Sequence, residues 1–186
     1  MHQEQLISNA ELTILSLVVQ GCAYGYEIEQ VIQERNMRAW TEIGFSSIYR
    51  ILNQLENKGL VASSLGEKQG RGPARKIYQV TESGQAAFTN ASLQTLRAPT
   101  ITYSSFNLGL HNLLCLPREQ ALPAMQTYLA GLQQEYHRQE QEKRLKTPPG
   151  PYAFYIEAMF DYSLKLLDAE ITWLQDFIQR YTDLPQ

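Results

Sequence analysis

Residues 46–59 read SSIYRILNQLENKG and have the pattern of a short amphipathic helix. At 100° per residue, the apolar side chains fall within one arc, which contains Ile48, Ile51, Leu52 and Leu55. Ser46 or Ser47 is a suitable N-terminal cap, and Gly59 is a residue type that ends helices. The pattern predicts a helix over residues 47–58 with one buried face.

The opposite face of this predicted helix is polar and carries no carboxylate; it contains Ser47, Arg50, Asn53, Gln54 and Asn57. A polar outer face is normal for any surface helix, so a merely solvated helix is one interpretation. However, arginine, asparagine, glutamine and serine are the side chains that hydrogen-bond base edges and phosphates. The composition of the face favours a helix that reads DNA.

A hairpin with a basic tip is predicted directly after this helix. Residues 60–65 and 75–80 have the composition of strands, and the loop between them is rich in glycine and cations. Residues 47–76 contain six basic and two acidic side chains, although the whole chain has a net charge of −3. Phosphates are contacted by a local patch, so the local excess matters. A solvated loop with incidental charge is the alternative. However, the tip of the hairpin falls beside the predicted helix over residues 47–58, and this position favours a wing.

The flanking segments complete a winged helix-turn-helix. Ser8 and Glu11 form a capping box for a first helix over residues 9–20, and a second helix begins near Gly25. A fourth helix, capped by Thr81, runs to about Arg97. The stretch Ala98-Pro99-Thr100 is the best boundary. We therefore expect a winged helix-turn-helix DNA-binding domain at residues 1–98 and a helical dimerisation domain at residues 99–186.

The second domain is predicted to be helical and antiparallel, so the fold class is mainly α with a small two-stranded β wing. Its last helix has apolar residues at the 4-3 spacing of a coiled-coil seam, namely Phe160, Leu164, Leu167, Ile171, Leu174, Ile178 and Tyr181. A second stripe (Met159, Leu166, Trp173 and Phe177) flanks this seam. Packing within one chain is one explanation. Helix exchange between two subunits is the preferred one, because a single partner helix cannot cover so wide a face.

Several short motifs together resemble the PadR family of transcriptional regulators. They are Tyr24-Gly25-Tyr26-Glu27-Ile28, Ser46-Ser47-Ile48-Tyr49-Arg50-Ile51-Leu52, Leu55-Glu56, Gly59-Leu60-Val61, Pro73-Ala74-Arg75-Lys76-Ile77-Tyr78 and Thr81-Glu82-Ser83-Gly84. Each is weak alone, whereas the ordered set over about sixty residues is specific. By length and pattern, the second half resembles the branch that includes phenolic-acid-responsive repressors and virulence-gene activators.

The resemblance implies a bacterial regulator, a homodimer that places two recognition helices in successive major grooves, with Tyr49 on the DNA backbone. Many members have proline where this chain has Arg50, so Arg50 is a candidate for an additional base contact. The residues expected to contact DNA are Tyr26, Ser46, Ser47, Tyr49, Arg50, Asn53, Gln54, Lys68, Arg71, Arg75 and Lys76. We expect a sequence-specific repressor of a near-palindromic operator, and the alternative is a winged-helix module that binds protein.

Other function classes find no support in the sequence. It shows no phosphate-binding glycine loop, nucleophile motif or metal-ligand spacing, so we expect neither an enzyme nor a cofactor. The first residues lack the layout of a signal peptide, and no apolar run is long enough to span a bilayer. The expected location is the cytoplasm.

Aromatic residues raise the hypothesis of a small aromatic effector. The chain has eleven tyrosines, six phenylalanines and two tryptophans, and several lie near the predicted domain junction: Tyr103, Phe106, Tyr152, Phe154 and Tyr155. Such side chains suit a pocket that holds a ring and hydrogen-bonds its substituents. They are equally suited to fill helical cores and dimer seams, which is the simpler interpretation.

Overall fold

The computed structural model describes residues 7–41, 43–44, 47–66, 75–99, 104–147, 149–150 and 152–185. The helices are α1 (Asn9–Val19), α2 (Gly25–Glu34), α3 (Ser47–Asn57), α4 (Glu82–Arg97), α5 (Ser105–His111), α6 (Arg118–Lys146) and α7 (Ala153–Asp183). The strands are β1 (Val61–Leu65) and β2 (Lys76–Val80), and two short 3-10 segments occupy Met37–Ala39 and Asn112–Cys115. The predicted fold class, mainly helical with a two-stranded wing, is confirmed.

The chain divides into two compact units, Met1–Ile101 and Thr102–Gln186. The boundary expected from the sequence lies three residues earlier, after residue 98. The first unit holds α1 to α4 and the hairpin, and the second holds α5 to α7.

The first unit is built around a core to which α1, α2, α3 and the hairpin all contribute. The four apolar residues that identified the α3 face are all buried in it. The core consists of Ile14, Leu15, Leu17, Val18, Ile28, Ile32, Met37, Ile43, Ile48, Ile51, Leu52, Leu55, Leu60, Val61 and Tyr78. This core fixes the orientation of α3, because burying one face of the helix presents the other to solvent.

The predicted capping box at the start of α1 is present. The Ser8 hydroxyl accepts from the Glu11 backbone N–H, and the Glu11 carboxylate accepts from the Ser8 backbone N–H. Glu11 also forms an ion pair with Lys58, at 2.7 Å between Nζ and Oε1. Although burial opposes ionisation, the hydrogen bonds from Lys58 and Ser8 hold the pKa of Glu11 below its ordinary value. This pair ties α1 to the end of α3.

A close backbone approach joins α4 to the end of α3. The Thr81 side chain accepts from the Gly84 N–H and donates to the carbonyl of Gly59, 2.7 Å away. A Cβ on Gly84 would lie 1.9 Å from the Leu60 carbonyl oxygen. The Thr-Glu-Ser-Gly segment is therefore a joint that requires glycine at its fourth position.

The second unit is an antiparallel pair of long helices with α5 packed beside it. Arg118, at the start of α6, donates to the carbonyls of Tyr181, Thr182 and Leu184 at the end of α7. Midway along the pair, the Tyr128 hydroxyl donates to Glu170 over 2.8 Å. Burial and this hydrogen bond raise the pKa of Tyr128 to about 12. Phe106 of α5 stacks on Tyr128, with ring centroids 4.3 Å apart.

The apolar residues of α7 form two stripes with different surroundings. On the predicted seam, Leu174 is wholly buried within its own chain, and the other six residues are half-buried. The adjacent stripe is exposed and has 4-3-4-3-4 spacing; it contains Tyr155, Met159, Tyr162, Leu166, Ala169 and Trp173, hereafter the exposed stripe. In the part of the chain that the structure describes, no helix is both long and apolar enough to cross a membrane.

Candidate nucleic-acid interface

The outward face of α3 is polar and accessible, as the sequence predicts. Tyr49, Arg50, Asn53, Gln54 and Asn57 are all exposed, and Tyr49 retains 61% of its surface. Glu56 is the sole acidic residue of α3, a helix described in full, and it accepts from Ser63 and Lys76 of the hairpin. The outward face of this helix is therefore free of negative charge.

Two side chains on this face make local bonds. The Arg50 guanidinium donates to the Gln54 side-chain oxygen at 3.1 Å, one helical turn away. Half-buried Ser47 donates its hydroxyl to the Gly44 carbonyl, 2.5 Å away, and so closes the turn before α3. Arg50 and Gln54 are thus held side by side on an exposed surface, where both can exchange this bond for contacts to bases.

The hairpin lies antiparallel, with a register that runs from Val61 opposite Val80 to Leu65 opposite Lys76. Beyond the strands, the Gly66 N–H donates to the Arg75 carbonyl at 2.8 Å. The predicted wing tip at residues 67–74 lies outside the described residues, and so do three predicted DNA-contacting residues, Ser46, Lys68 and Arg71.

A groove lined by tyrosines lies where α2, α3 and β2 meet. Its volume is about 510 Å³, and it is bounded by Tyr24, Gly25, Tyr26, Tyr49, Arg75, Lys76 and Tyr78, hereafter the tyrosine groove. Four of the predicted DNA-contacting residues (Tyr26, Tyr49, Arg75 and Lys76) are brought together here, although they come from three separate segments of the sequence.

Ring stacking holds the side chains of the tyrosine groove in order. Tyr24 and Tyr26 stack with centroids 5.4 Å apart, and the Arg75 guanidinium carbon lies 5.2 Å from the centroid of Tyr26. A guanidinium over an aromatic face is attracted by the ring electrons and keeps its N–H groups available at its edge. Arg75 is thus a pre-positioned cation at the mouth of the groove.

Two cations of the basic segment are engaged within the protein. Lys58 pairs with Glu11 on the side of α1. Lys76 lies 3.1 Å from Glu56, and this hydrogen bond raises the pKa of Lys76. Since Lys76 remains exposed and also lies 5.9 Å from the Tyr78 ring centroid, it keeps a place beside the groove. Arg50 and Arg75, by contrast, contact uncharged side chains, namely Gln54 and the Tyr26 ring.

No group of three or more histidine, cysteine, aspartate or glutamate side chains that could hold a metal occurs within the described ranges.

The aromatics proposed as an effector site do not form one cluster in the second unit. Phe106 lies against Tyr128 and is 6.3 Å from Trp173. Phe154 is nineteen residues before Trp173 on α7, or about 28 Å along the helix axis. Tyr103 lies outside the described residues.

Comparison with known proteins identifies the architecture. Residues 14–90 match the family model described as the transcriptional regulator PadR-like family. The chain is therefore similar to PadR-like transcriptional regulators over somewhat less than half of its length. The matched segment runs from α1 into α4 and contains α3, the hairpin and the tyrosine groove. PadR-like proteins are transcriptional regulators and not enzymes, in agreement with the prediction from the sequence.

One curated relative of this chain is an uncharacterised protein of Lysinibacillus sphaericus. It is 33% identical over 73 residues, which make up 39% of this chain and 65% of that protein. The chain therefore matches slightly less than two thirds of the length of this relative.

Solved structures of PadR-like regulators have the same fold over both units. Bacillus subtilis PadR in complex with operator DNA is 19% identical with a TM-score of 0.74, covering 92% of this chain and 98% of that one. Bacillus subtilis PadR in complex with p-coumaric acid is 19% identical with a TM-score of 0.76, covering 95% and 100%. The Vibrio cholerae virulence activator AphA is 17% identical with a TM-score of 0.70, covering 93% and 98%.

Three groove residues were missed by sequence reasoning as site residues: Tyr24, Gly25 and Tyr78. All three stand in motifs that carry the PadR resemblance, but no periodicity marks them as site residues. Tyr78 is buried, and its backbone N–H donates to the Ala23 carbonyl at 2.8 Å, which brings β2 to the start of α2. This long-range contact, invisible in the sequence, assembles the groove.

Proposed function

We propose that this PadR-like regulator binds a near-palindromic operator as a homodimer, with α3 of each subunit in the major groove. The observation that carries the proposal is the exposed, carboxylate-free face of α3 beside the tyrosine groove. A face of arginine, asparagine and glutamine matches the donors and acceptors that bases present in the major groove. Arg50, Asn53 and Gln54 are assigned to bases.

The tyrosine groove is assigned to the DNA backbone. Exposed tyrosine hydroxyls and an arginine held by ring stacking are suitable donors for a phosphodiester. Tyr26, Tyr49 and Arg75 take this role, while Lys76 divides its charge between phosphate and Glu56. Ser47, Lys68 and Arg71 complete the contacts expected from the sequence, together with Ser46.

Homodimerisation through α7 is supported by the exposed stripe, whose heptad-like spacing suits a parallel or antiparallel partner helix. In the seam from Phe160 to Tyr181, proposed from the sequence, Leu174 is wholly buried within the chain and the other six residues are half-buried. We therefore place the subunit contact on the exposed stripe and the half-buried edge of the seam. A two-fold dimer would set its recognition helices about 34–36 Å apart, one turn of DNA.

A salt series on the full-length chain and its own upstream DNA tests this proposal. Each phosphate contact made by a cation contributes about −0.9 to the slope of log affinity against log salt concentration. We expect a steep decline, with a slope of several units for the dimer. A flat response, or equal affinity for operator and unrelated DNA, would leave the protein-binding winged helix as the better reading.

Two arginine variants separate base contacts from phosphate contacts. Arg75→Ala should weaken binding on every sequence and lower the salt slope by about 0.9 per subunit. Arg50→Ala should relax preference at one base pair by about 1–3 kcal/mol if its contact is bidentate. Equal losses on operator and random DNA would show that Arg50 contacts only phosphate.

We also propose that the dimer represses its target and is released by a small aromatic effector. The fold has been crystallised with operator DNA and with p-coumaric acid in Bacillus subtilis PadR, and another protein of this fold is called an activator. A promoter–reporter assay with and without planar aromatic acids tests both points. Higher reporter output in the presence of the regulator contradicts repression, and unchanged operator affinity and melting temperature contradict the effector.

A further inference from the structure

Gly25, the first residue of α2, lies directly beneath the ring of Tyr49. A Cβ built on Gly25 would lie 2.6 Å from Cε1, 2.9 Å from Cζ and 3.2 Å from the hydroxyl oxygen of Tyr49. These three atoms are its nearest neighbours. Gly25 is buried, whereas Tyr49 retains 61% of its surface. The exposed ring therefore packs against the backbone of Gly25.

The backbone conformation does not explain the glycine. The described glycines with positive φ are Gly21, Gly59 and Gly150, and Gly25 is not one of them. Alanine at the start of a helix would be favoured over glycine by conformational entropy. What this position needs is the absence of a side chain, because a methyl group would occupy the space of the ring.

We propose that Gly25 is a positioning residue for DNA binding, which acts by holding the Tyr49 ring where its hydroxyl can reach a backbone phosphate. This inference rests on the proposed function and assigns a role to a residue that contacts no DNA itself. A tyrosine on an open helix face would otherwise lose rotamer freedom on binding, and a preformed seat reduces that loss.

Another glycine shows how such a contact differs from a purely structural one. At Gly84 the obstructing atom is the carbonyl oxygen of Leu60, which belongs to the backbone and cannot turn aside. At Gly25 the obstructing atoms are at the far end of an exposed side chain. Gly25→Ala should therefore displace the ring and leave the fold intact.

A double-mutant cycle on the full-length chain tests the proposal, using its labelled upstream DNA as probe. The variants are Gly25→Ala, Tyr49→Ala and the double substitution, and Gly131→Ala is the control because nothing lies within 4 Å of a Cβ there. Gly25→Ala should lower affinity about 10-fold per half-site, the loss of one hydrogen bond to a charged group. Its salt slope should match wild type, since tyrosine is neutral, and its Tm should stay within about 4 °C.

The decisive comparison is the Tyr49→Ala background, in which there is no ring to displace. There, Gly25→Ala should cost no further affinity. A Gly25→Ala protein that binds like wild type overturns the inference, and so does an equal loss with and without Tyr49 or a much lower Tm. If the wild-type protein itself does not bind its upstream DNA, the proposed function fails first and the inference with it.

Discussion

The two units of this chain bury hydrophobic side chains to very different extents. Within the described residues, the first unit shares one core of fifteen buried hydrophobic side chains. Among its own described residues, the second buries only Ala121, Met125 and Leu174, although it is nearly as long. Its large exposed apolar residues include Tyr162 and Leu114, at 69% and 98% of their full exposure.

This difference bears on the homodimer proposed above, because the second unit leaves more of its apolar surface uncovered. Ordering a residue costs about 1–2 kcal/mol of conformational entropy, which only buried surface and satisfied hydrogen bonds can offset. The first unit achieves this within one chain. The helix pair of the second exposes an apolar stripe, which the proposed homodimer would cover.

Expressing the two units as separate polypeptides should have the largest effect, and it tests directly whether they differ in stability. We expect residues 1–101 to unfold cooperatively as a monomer, because their core is complete. Residues 102–186 should be folded only as a dimer, with a melting temperature that rises with concentration. Sedimentation and thermal melts over a hundredfold concentration range check this. A stable monomer of residues 102–186 would contradict it.

Substitutions on the two stripes of α7 should distinguish packing within the chain from packing between subunits. Leu174→Arg places an unpaired charge where the side chain is wholly buried, and should cost about 3–5 kcal/mol of folding stability. Leu166→Glu, on the exposed stripe, should leave the helix pair folded but weaken the dimer at least about 30-fold.

Analytical ultracentrifugation with circular dichroism measures both outcomes. Gln175→Glu is the matched control, because it adds a charge to an exposed polar position of the same helix. Two results together would show that the stripes are assigned the wrong way round. They are a Leu166→Glu protein that dimerises with wild-type affinity and a Leu174→Arg protein that is folded but monomeric.

Gly84→Ala probes the joint between α3 and α4 in the well-packed unit. Because the added methyl group would meet the Leu60 carbonyl, we expect a loss of about 1–3 kcal/mol in the free energy of unfolding. Chemical denaturation provides the measurement, with Gly131→Ala as control. That change, in the interior of α6 and in open space, should be neutral or stabilising by about 0.5–1 kcal/mol. Equal effects at the two glycines would contradict the role of the close approach.

Lowering the pH should have the smallest effect on the free energy of unfolding, and it should act through protonation of Glu11. Its pKa is lowered in the folded state, so its contribution to stability is present above its ordinary value of 4.5 and is lost as pH falls through the folded value. Glu11→Gln keeps an acceptor for the Ser8 N–H but removes the charge that faces Lys58. It should flatten the decline in unfolding free energy between pH 7 and pH 3.5, and Glu34→Gln, at the exposed end of α2, is the control. An unchanged pH profile would argue against the Glu11–Lys58 pair.

Local features of the fold could be predicted from the sequence, because short-range chemistry decides them. The Ser8–Glu11 box, the buried face of α3 and the Thr81 cap all occur where the sequence predicts them. Helix ends agree within about one residue at α1 and α3.

Features that depend on distant segments were not predictable in this way. Periodicity identifies both stripes of α7, but it cannot tell which one faces α6. Lys58 counts toward the basic segment in the sequence, whereas in the structure it pairs with Glu11, 47 positions earlier. The tyrosine groove likewise needs the contact of β2 with the start of α2, which leaves no trace in composition or spacing.

The hydrogen bonds of Arg118 affect the C-terminal end of α7. The last turn of a helix normally frays, because its carbonyls have no partners within the helix. Here a guanidinium from 63 to 66 residues earlier donates to the carbonyls of Tyr181 and Thr182 in the last turn of α7 and to that of Leu184, which follows the helix. It links the start of α6 to the end of α7 across the whole length of chain between them. Amide exchange near Leu184 therefore reports on how firmly the start of α6 is held.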